Sequence, residues 1–440
     1  MMTKEKAQKI AEKIFALTKA DGVAISINGG SSSNLRFARN TVTTSGTSND
    51  TSISISVTFG KKTGRYSFNQ FDDKSLQEAV QRAEELAKLA PEDPEYMPPL
   101  GPQTYPDVKA YYLSTADVSP EYRANVAKDC IELAAAKNLI AAGFVENSAG
   151  FSFFANNKGL TADHTSSSID YSITARTQDG SGSGWASSGH NDVTKFDGRK
   201  ASVRAIEKAS MSVNPKAVEP GKYAVVLEPQ AVMDLLSSFA FRFDARSADE
   251  GRSFFAEAGG KNKIGQKLFP DFVNITTDPA YPNAPGFPWS EDGLPSRKTV
   301  WIENGILKNL RYSRYWAERQ GKEPVPFASN VVMQGGDASV DDLIASTKQG
   351  ILVTRFWYIR DVDPKTMLLT GLTRDGTFWI ENGEIAYPIK NFRFNESPVA
   401  MLKNTEMMSR VERMQFAGSV NLIPALKVKE FTFSSLSDAV

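Results

Sequence analysis

Trp301-Ile302-Glu303-Asn304-Gly305-Ile306 and its near-copy Trp379-Ile380-Glu381-Asn382-Gly383-Glu384-Ile385 set the character of the second half of the chain. In each, Asn-Gly between apolar runs supplies the two positive φ angles of a type I′ turn, so each is expected to be a β-hairpin. The sequences around the two copies do not match. Recurrent hairpin chemistry in a β-rich domain is therefore preferred to an internal duplication. Between them, residues 351–359 read as an extended run whose Phe356, Trp357 and Tyr358 are expected in the sheet core.

Working outward, Asn214-Pro215 through Pro220-Gly221 is the strongest boundary in the sequence, followed by a strand over 223–227. A helix opens at Glu228-Pro229, with Val232, Leu235, Leu236, Phe239 and Ala240 at helical spacing. Its charged continuation holds Arg242, Asp244, Arg246, Asp249 and Glu250, with Arg246 and Glu250 as i,i+4 partners, and reads as a solvated helix end. The first half mixes elements. Helices are expected over 3–19, 74–90, 119–139 and 197–211, the third opened by Ser119-Pro120-Glu121 as cap, first-turn proline and first-turn acid. Strands are expected over 23–28, 35–38, 51–59, 143–156 and 160–176; Ile53, Ile55, Val57 and Phe59 alternate strictly. Pro91, Pro94, Pro98, Pro99, Pro102 and Pro106 make 91–106 an extended tether laid over the first domain, because similar α and β elements resume beyond it. The fold class is thus α+β in two domains. Residues 1–213 form an α/β-mixed unit with an antiparallel sheet, and residues 221–440 a β-rich unit with one early helix.

The 440 residues carry 51 Lys+Arg and 51 Asp+Glu, and 41% are hydrophobic, which is enough apolar material for a large core. Zero net charge and the absence of a basic run argue against nucleic acid, whose phosphates call for a basic face. The charged N-terminus does not read as a signal peptide, and no apolar window approaches the roughly 18 residues of a membrane span. One cysteine, Cys130, excludes an internal disulfide and suits a reducing compartment, so a cytoplasmic location is expected. The only histidines are His164 and His190, and no HExxH pair exists. A zinc site built in the usual way, on two histidines of one helix face, is therefore excluded. No serine sits in a GxSxG elbow. Asp163-His164 and His190-Asn191-Asp192 leave a self-standing peptidase with a non-standard site as an alternative, although surface-loop histidines are the preferred reading.

Residues 287–299, Phe-Pro-Trp-Ser-Glu-Asp-Gly-Leu-Pro-Ser-Arg-Lys-Thr, lead into the first Asn-Gly hairpin and then to Tyr315-Trp316-Ala317. With Gly350-Ile351-Leu352-Val353-Thr354, the second hairpin and Gly64-Arg65-Tyr66-Ser67-Phe68-Asn69, this succession resembles the TldD/PmbA family over nearly the whole chain. The resemblance implies a two-domain α+β protein of a group described as modulators of DNA gyrase and as metallopeptidases. In that family the TldD type carries zinc on an HExxxH helix plus a late cysteine. It pairs with a TldE (PmbA) type lacking the motif, and the pair cleaves unfolded or leader peptides, with roles in peptide maturation and antitoxin removal. Here the motif positions read Ser237, Ser238 and Arg242, and residues 414–433 hold no cysteine. A guanidinium offers no lone pair and hydroxyls are weak zinc ligands. The resemblance therefore implies a TldE-like subunit with no catalytic residue and no metal of its own. Zinc is expected in a TldD-type partner, and extended peptides are the expected substrates, with homodimerisation of the isolated chain as an alternative. A non-enzymatic modulator binding gyrase or toxin proteins is the third reading.

Overall fold

The computed structural model describes residues 2–240, 242–326, 329–416 and 419–437, without the side chains of Ser238, Ala240 and Phe416. Its first half runs α1 (Lys4–Leu17), β1 (Gly22–Ala38), β2 (Thr41–Phe59), β3 (Lys62–Phe68), α2 (Asp73–Leu89), α3 (Leu113–Ala116), α4 (Pro120–Ala136), β4 (Leu139–Asn156), β5 (Thr161–Thr177), β6 (Ser183–His190) and α5 (Gly198–Met211). The side chains of Thr3, Asp72, Ser119 and Asp197 each accept a first-turn N–H, which fixes the starts of α1, α2, α4 and α5. The six strands form one antiparallel sheet in the order β3-β2-β1-β4-β5-β6. Strand β1 corrects the expectation of two short strands. Its Gly29-Gly30-Ser31-Ser32-Ser33-Asn34 stretch reads as a loop, yet it is laddered on one side to 46–51 of β2 and on the other to 146–151 of β4. At Gly30 a Cβ would lie 2.2 Å from the Ala149 carbonyl oxygen, so the glycine permits that close pairing.

This sheet is a two-fold assembly. Helix α1, strands β1–β3 and helix α2 repeat, in the same order, as α4, β4–β6 and α5, and Gly30 faces Gly150 at the centre of the β1–β4 pair. Ile25 and Ile27 of β1 pack in one cluster with α1 and α2, and Leu35 and Phe37 pack in a second with α4 and α5. All four lie at odd positions of one strand, so every helix covers the same face. The other face is polar, with Ser26, Ser148, Ser168, Asp170 and Ser172 half-buried along it.

The second half runs β7 (Gly221–Leu227), α6 (Pro229–Ala240), α7 (Ala245–Asp249), β8 (Ala256–Glu257), β9 (Lys261–Asn262), β10 (Ile275–Thr277), β11 (Thr299–Glu303), β12 (Ile306–Leu307), α8 (Arg314–Arg319), β13 (Val332–Met333), α9 (Val340–Ala345), β14 (Gln349–Asp363), β15 (Leu368–Glu381), β16 (Glu384–Pro388), β17 (Phe392–Glu396), α10 (Pro398–Lys403), β18 (Thr405–Phe416) and β19 (Ser419–Leu436). β19 pairs with β17, β17 with β15, β15 with β14, β14 with β7, and β7 again with β19, so the pairing closes a ring. Phe356 packs 4.6 Å from Phe394 and 5.4 Å from Phe431, and Val232, Leu235, Leu236 and Phe239 of α6 belong to the same core. Both Asn-Gly hairpins form as expected. Asn304 and Gly305 have φ 51° and 72°, and Asn382 and Gly383 have 52° and 82°.

The proline-rich stretch does more than overlie the first sheet. Asn156 Nδ2 donates to the Leu100 carbonyl at 2.8 Å from the sheet side. From the second half, Arg246 grips Glu95 through both NH groups at 2.7 and 2.8 Å, Arg314 donates to the Pro98 carbonyl at 2.6 Å, and Tyr105 Oη donates to the Gly293 carbonyl at 2.8 Å. The expected solvated helix end is corrected accordingly. Helix α6 stops at Ala240, α7 is a separate short helix, and Arg246 serves Glu95 as well as Glu250.

Candidate functional site

Pro229 opens α6 directly after β7, and the helix then shows two faces. Val232, Leu235, Leu236 and Phe239 enter the core, while Gln230, Asp234 and Ser237, spaced i, i+4, i+7, line a cleft of about 670 Å³. The opposite wall comes from the polar face of the first sheet, with Phe144, Asp170, Ser172 and Trp185, and the rim from Arg355 to Arg360 of β14. Polar bonds between the two halves hold the walls in place. Ser183 Oγ donates to Asp375 Oδ1 at 2.6 Å, Arg413 NH2 donates to Asn191 Oδ1 at 2.8 Å, and the buried Lys208 Nζ lies 2.6 Å from Glu228 and donates to Thr354 Oγ1 at 2.8 Å.

The β14 rim departs from simple alternation. Its register against β15 shifts between Val353 and Arg355 and again between Trp357 and Arg360, and Tyr358 sits at φ 57°. Such bulges re-aim side chains. Only Phe356 is therefore core. Trp357 and Tyr358, expected beside it, are 45% and 64% exposed and face the cleft.

At the floor, Asp234 is buried, with 8% of its surface exposed. Its Oδ1 accepts from Gln230 Nε2 at 2.7 Å and its Oδ2 from the Phe356 N–H at 2.8 Å. Burial raises its pKa to about 6, opposed first by the positive charge of Arg355. Arg355 lies with its guanidinium carbon 4.2 Å from the Trp185 ring centre and 4.9 Å from that of Trp357, and burial lowers its pKa. Asp170 is likewise raised by burial, against the Ser168 hydroxyl and the charge of Arg413.

The residues singled out in the sequence meet this site in part. Ser237 lines the cleft, and its hydroxyl donates to the Asp234 carbonyl at 2.8 Å. The side chain of Ser238 lies outside the described residues. Arg242 was expected on the helix but lies past its end, with NH2 2.5 Å from Asp361 Oδ1 of β14. The histidines are carried on strands and not on surface loops. His164 packs 5.2 Å from Phe287, while its neighbour Asp163 turns the other way to Lys4 at 2.6 Å. His190 Nδ1 accepts the Asp192 N–H at 2.8 Å, and burial with Arg413 and Lys195 lowers its pKa to about 4. Cys130 is buried in α4. Sequence reasoning passed over Asp234, Gln230, Trp185 and Arg355. The available signal was an acid inside the apolar run 231–239 and an arginine next to three aromatics.

Three sequence profiles fit the chain. Residues 23–87 match PmbA/TldA metallopeptidase domain 1, residues 114–213 the central domain, and residues 220–435 the C-terminal domain. The chain belongs to the PmbA/TldD metallopeptidase family. The metalloprotease PmbA homolog of Haemophilus influenzae is 23% identical over 88% of this chain and 85% of its own. An uncharacterised protein of Methanocaldococcus jannaschii is 26% identical over 82% and 85%. The fold matches that of TldE from Thermococcus kodakarensis, with a TM-score of 0.86 at 20% identity over 98% of this chain and 99% of that one. Proteins named TldD homologs, one of them a zinc metalloprotease, align over shorter stretches. The donors present do not fit a metallopeptidase zinc. Among the described residues no three His, Cys, Asp or Glu side chains converge, and at the positions that the resemblance assigns to the motif the Ser237 hydroxyl and the Arg242 guanidinium are committed to protein partners.

Proposed function

We propose that this family member is a TldE/PmbA-like subunit of a TldD/TldE-type metallopeptidase complex of the cytoplasm. It carries no zinc and no catalytic group of its own, and it presents unfolded or leader peptides to a zinc-bearing TldD-type partner. The observation that carries the reading is the Arg242–Asp361 ion pair at 2.5 Å, a fixed positive charge at the position that the resemblance assigns to a metal ligand. The serine side chains along the half-buried sheet face support it, since hydroxyls both donate to and accept from an extended peptide. No helix among the described residues is long and apolar enough to cross a membrane.

The test is reconstitution. The purified chain alone should contain no stoichiometric zinc by elemental analysis and should leave unstructured peptides intact. Mixed with an HExxxH-bearing relative from the same genome it should form a stable complex that cleaves them, with loss of cleavage on chelation. Chelator-sensitive hydrolysis by the chain on its own, or full activity of the zinc subunit without it, would overturn the reading.

A further inference from the structure

Arg355 is a feature of the cleft that the fold leaves chemically incomplete. Its side chain is only 12% exposed, and its Nε is buried without a partner. Among the described residues its guanidinium donates no hydrogen bond, and the nearest carboxylate oxygen, Asp375 Oδ2, is 3.7 Å from NH1. Neighbouring acids are engaged elsewhere: Asp234 accepts from Gln230 and Phe356, and Asp375 Oδ1 accepts from Ser183. The ring centres of Trp185 and Trp357 lie 4.2 and 4.9 Å from the guanidinium carbon, a cation–π arrangement that leaves its N–H donors unused. Five donors and no acceptor, in a largely desolvated place, call for an acceptor from outside the chain.

A second shortage points the other way. Gln230 Oε1 and Gln415 Oε1, both in the cleft wall, are buried with no donor. The orientation of the Gln230 amide is set by its Nε2 bond to Asp234, so its free oxygen is an acceptor waiting for an N–H. The missing partner must therefore bring a planar pair of acceptors and, close to it, amide N–H donors. Phe144, Trp357 and Tyr358 supply apolar surface beside them.

We infer that the cleft binds the C-terminal residue of a peptide, its free carboxylate forked onto Arg355, its amide N–H groups on the two glutamine oxygens and an apolar last side chain against the aromatic wall. This deepens the peptide-presenting role proposed above and rests on it. It assigns a polarity to the bound peptide, anchored by its end and not only along its backbone.

The probe is a fluorescein-labelled hexapeptide ending in leucine, as free acid and as C-terminal amide, titrated with the full chain and read by fluorescence anisotropy. The acid should bind at least about tenfold more tightly than the amide. Arg355→Gln should remove that preference, and Arg355→Lys, which keeps charge without the fork, should retain only part of it. Equal binding of acid and amide, or no binding of either up to about 1 mM, overturns the inference. The acid–amide comparison needs no variant, so it stands even if Arg355→Gln fails to fold. Hydrolysis of the probe by the isolated chain would instead overturn the silent-subunit reading and leave the acid–amide difference to be judged by itself.

Discussion

At Asp234 a single carboxyl couples stability to pH. Burial lifts its pKa from 3.8 to about 6, so the folded chain holds this proton more tightly than the unfolded one. The sign follows: stability from this group is greatest below pH 3.8, falls as pH rises through the window up to about 6, and is flat above it. The drop is about 3 kcal/mol from the size of the shift. Asp234→Asn carries no titrating proton. The difference in unfolding free energy, wild type minus variant, should fall across that window and level off near pH 7 in urea titrations. A difference independent of pH would show that Asp234 titrates normally. The same residue shows how a charge can hide in a sequence. A lone aspartate in an apolar helix stretch looks like a helix-surface acid until β14 is placed over it.

Among the elements, the helices rest directly on the edge strands, and glycine makes this fit. At Gly64 of β3 a Cβ would come within 2.0 Å of the Ala83 carbonyl oxygen of α2, and at Gly184 of β6 within 2.1 Å of the Ala205 carbonyl oxygen of α5. Both obstacles are helix backbone, which cannot rotate away. Gly64→Ala and Gly184→Ala should each lower stability by about 2 kcal/mol or more, read as a shift of the denaturation midpoint. Gly101→Ala, where nothing lies within 4 Å, is the neutral control. Most elements were legible beforehand. Helical spacing marked α1, α2, α4 and α5, with Ser119 as a capping residue for α4, and Asn-Gly marked both hairpins, because those signals are local. The failures share one cause. Polar Ser/Gly in β1 and the bulged run of β14 take their conformation from the strands beside them, which local pattern does not contain.

For the molecule as a whole, the tether and the buried charges between the halves decide how the cleft is held. The Glu95–Arg246 fork is half-exposed and joins 91–106 to the second half. Arg246→Ala should leave the main unfolding transition nearly in place, because the pair is solvated. It should nevertheless speed cleavage within 91–106 under limited proteolysis, since that segment depends on few anchors. Unchanged cleavage kinetics would mean that Arg314, Tyr105 and Asn156 suffice to dock it. The two-fold repeat in the first sheet belongs to the same scale. The two copies share the helix pattern Ala79-x-x-Arg82-Ala83-x-Glu85-x-Ala87 and Ala201-x-x-Arg204-Ala205-x-Glu207-x-Ala209, and the carbonyls of Ala83 and Ala205 meet Gly64 and Gly184 in the same way.

By itself the sequence determined the α+β class, the hairpins and the helix starts, since each depends on residue type and short spacing; the expectation that Ser237, Ser238 and Arg242 stand at zinc-ligand positions came from the resemblance to the family. Only the tertiary structure decided that Ser237 faces a cleft, that Arg242 leaves the helix to pair with Asp361, and that Arg355 is buried against tryptophans from both halves without a hydrogen-bond acceptor. Those properties are set by which distant strands come to lie side by side, and pairing across hundreds of residues leaves no periodic trace in the chain.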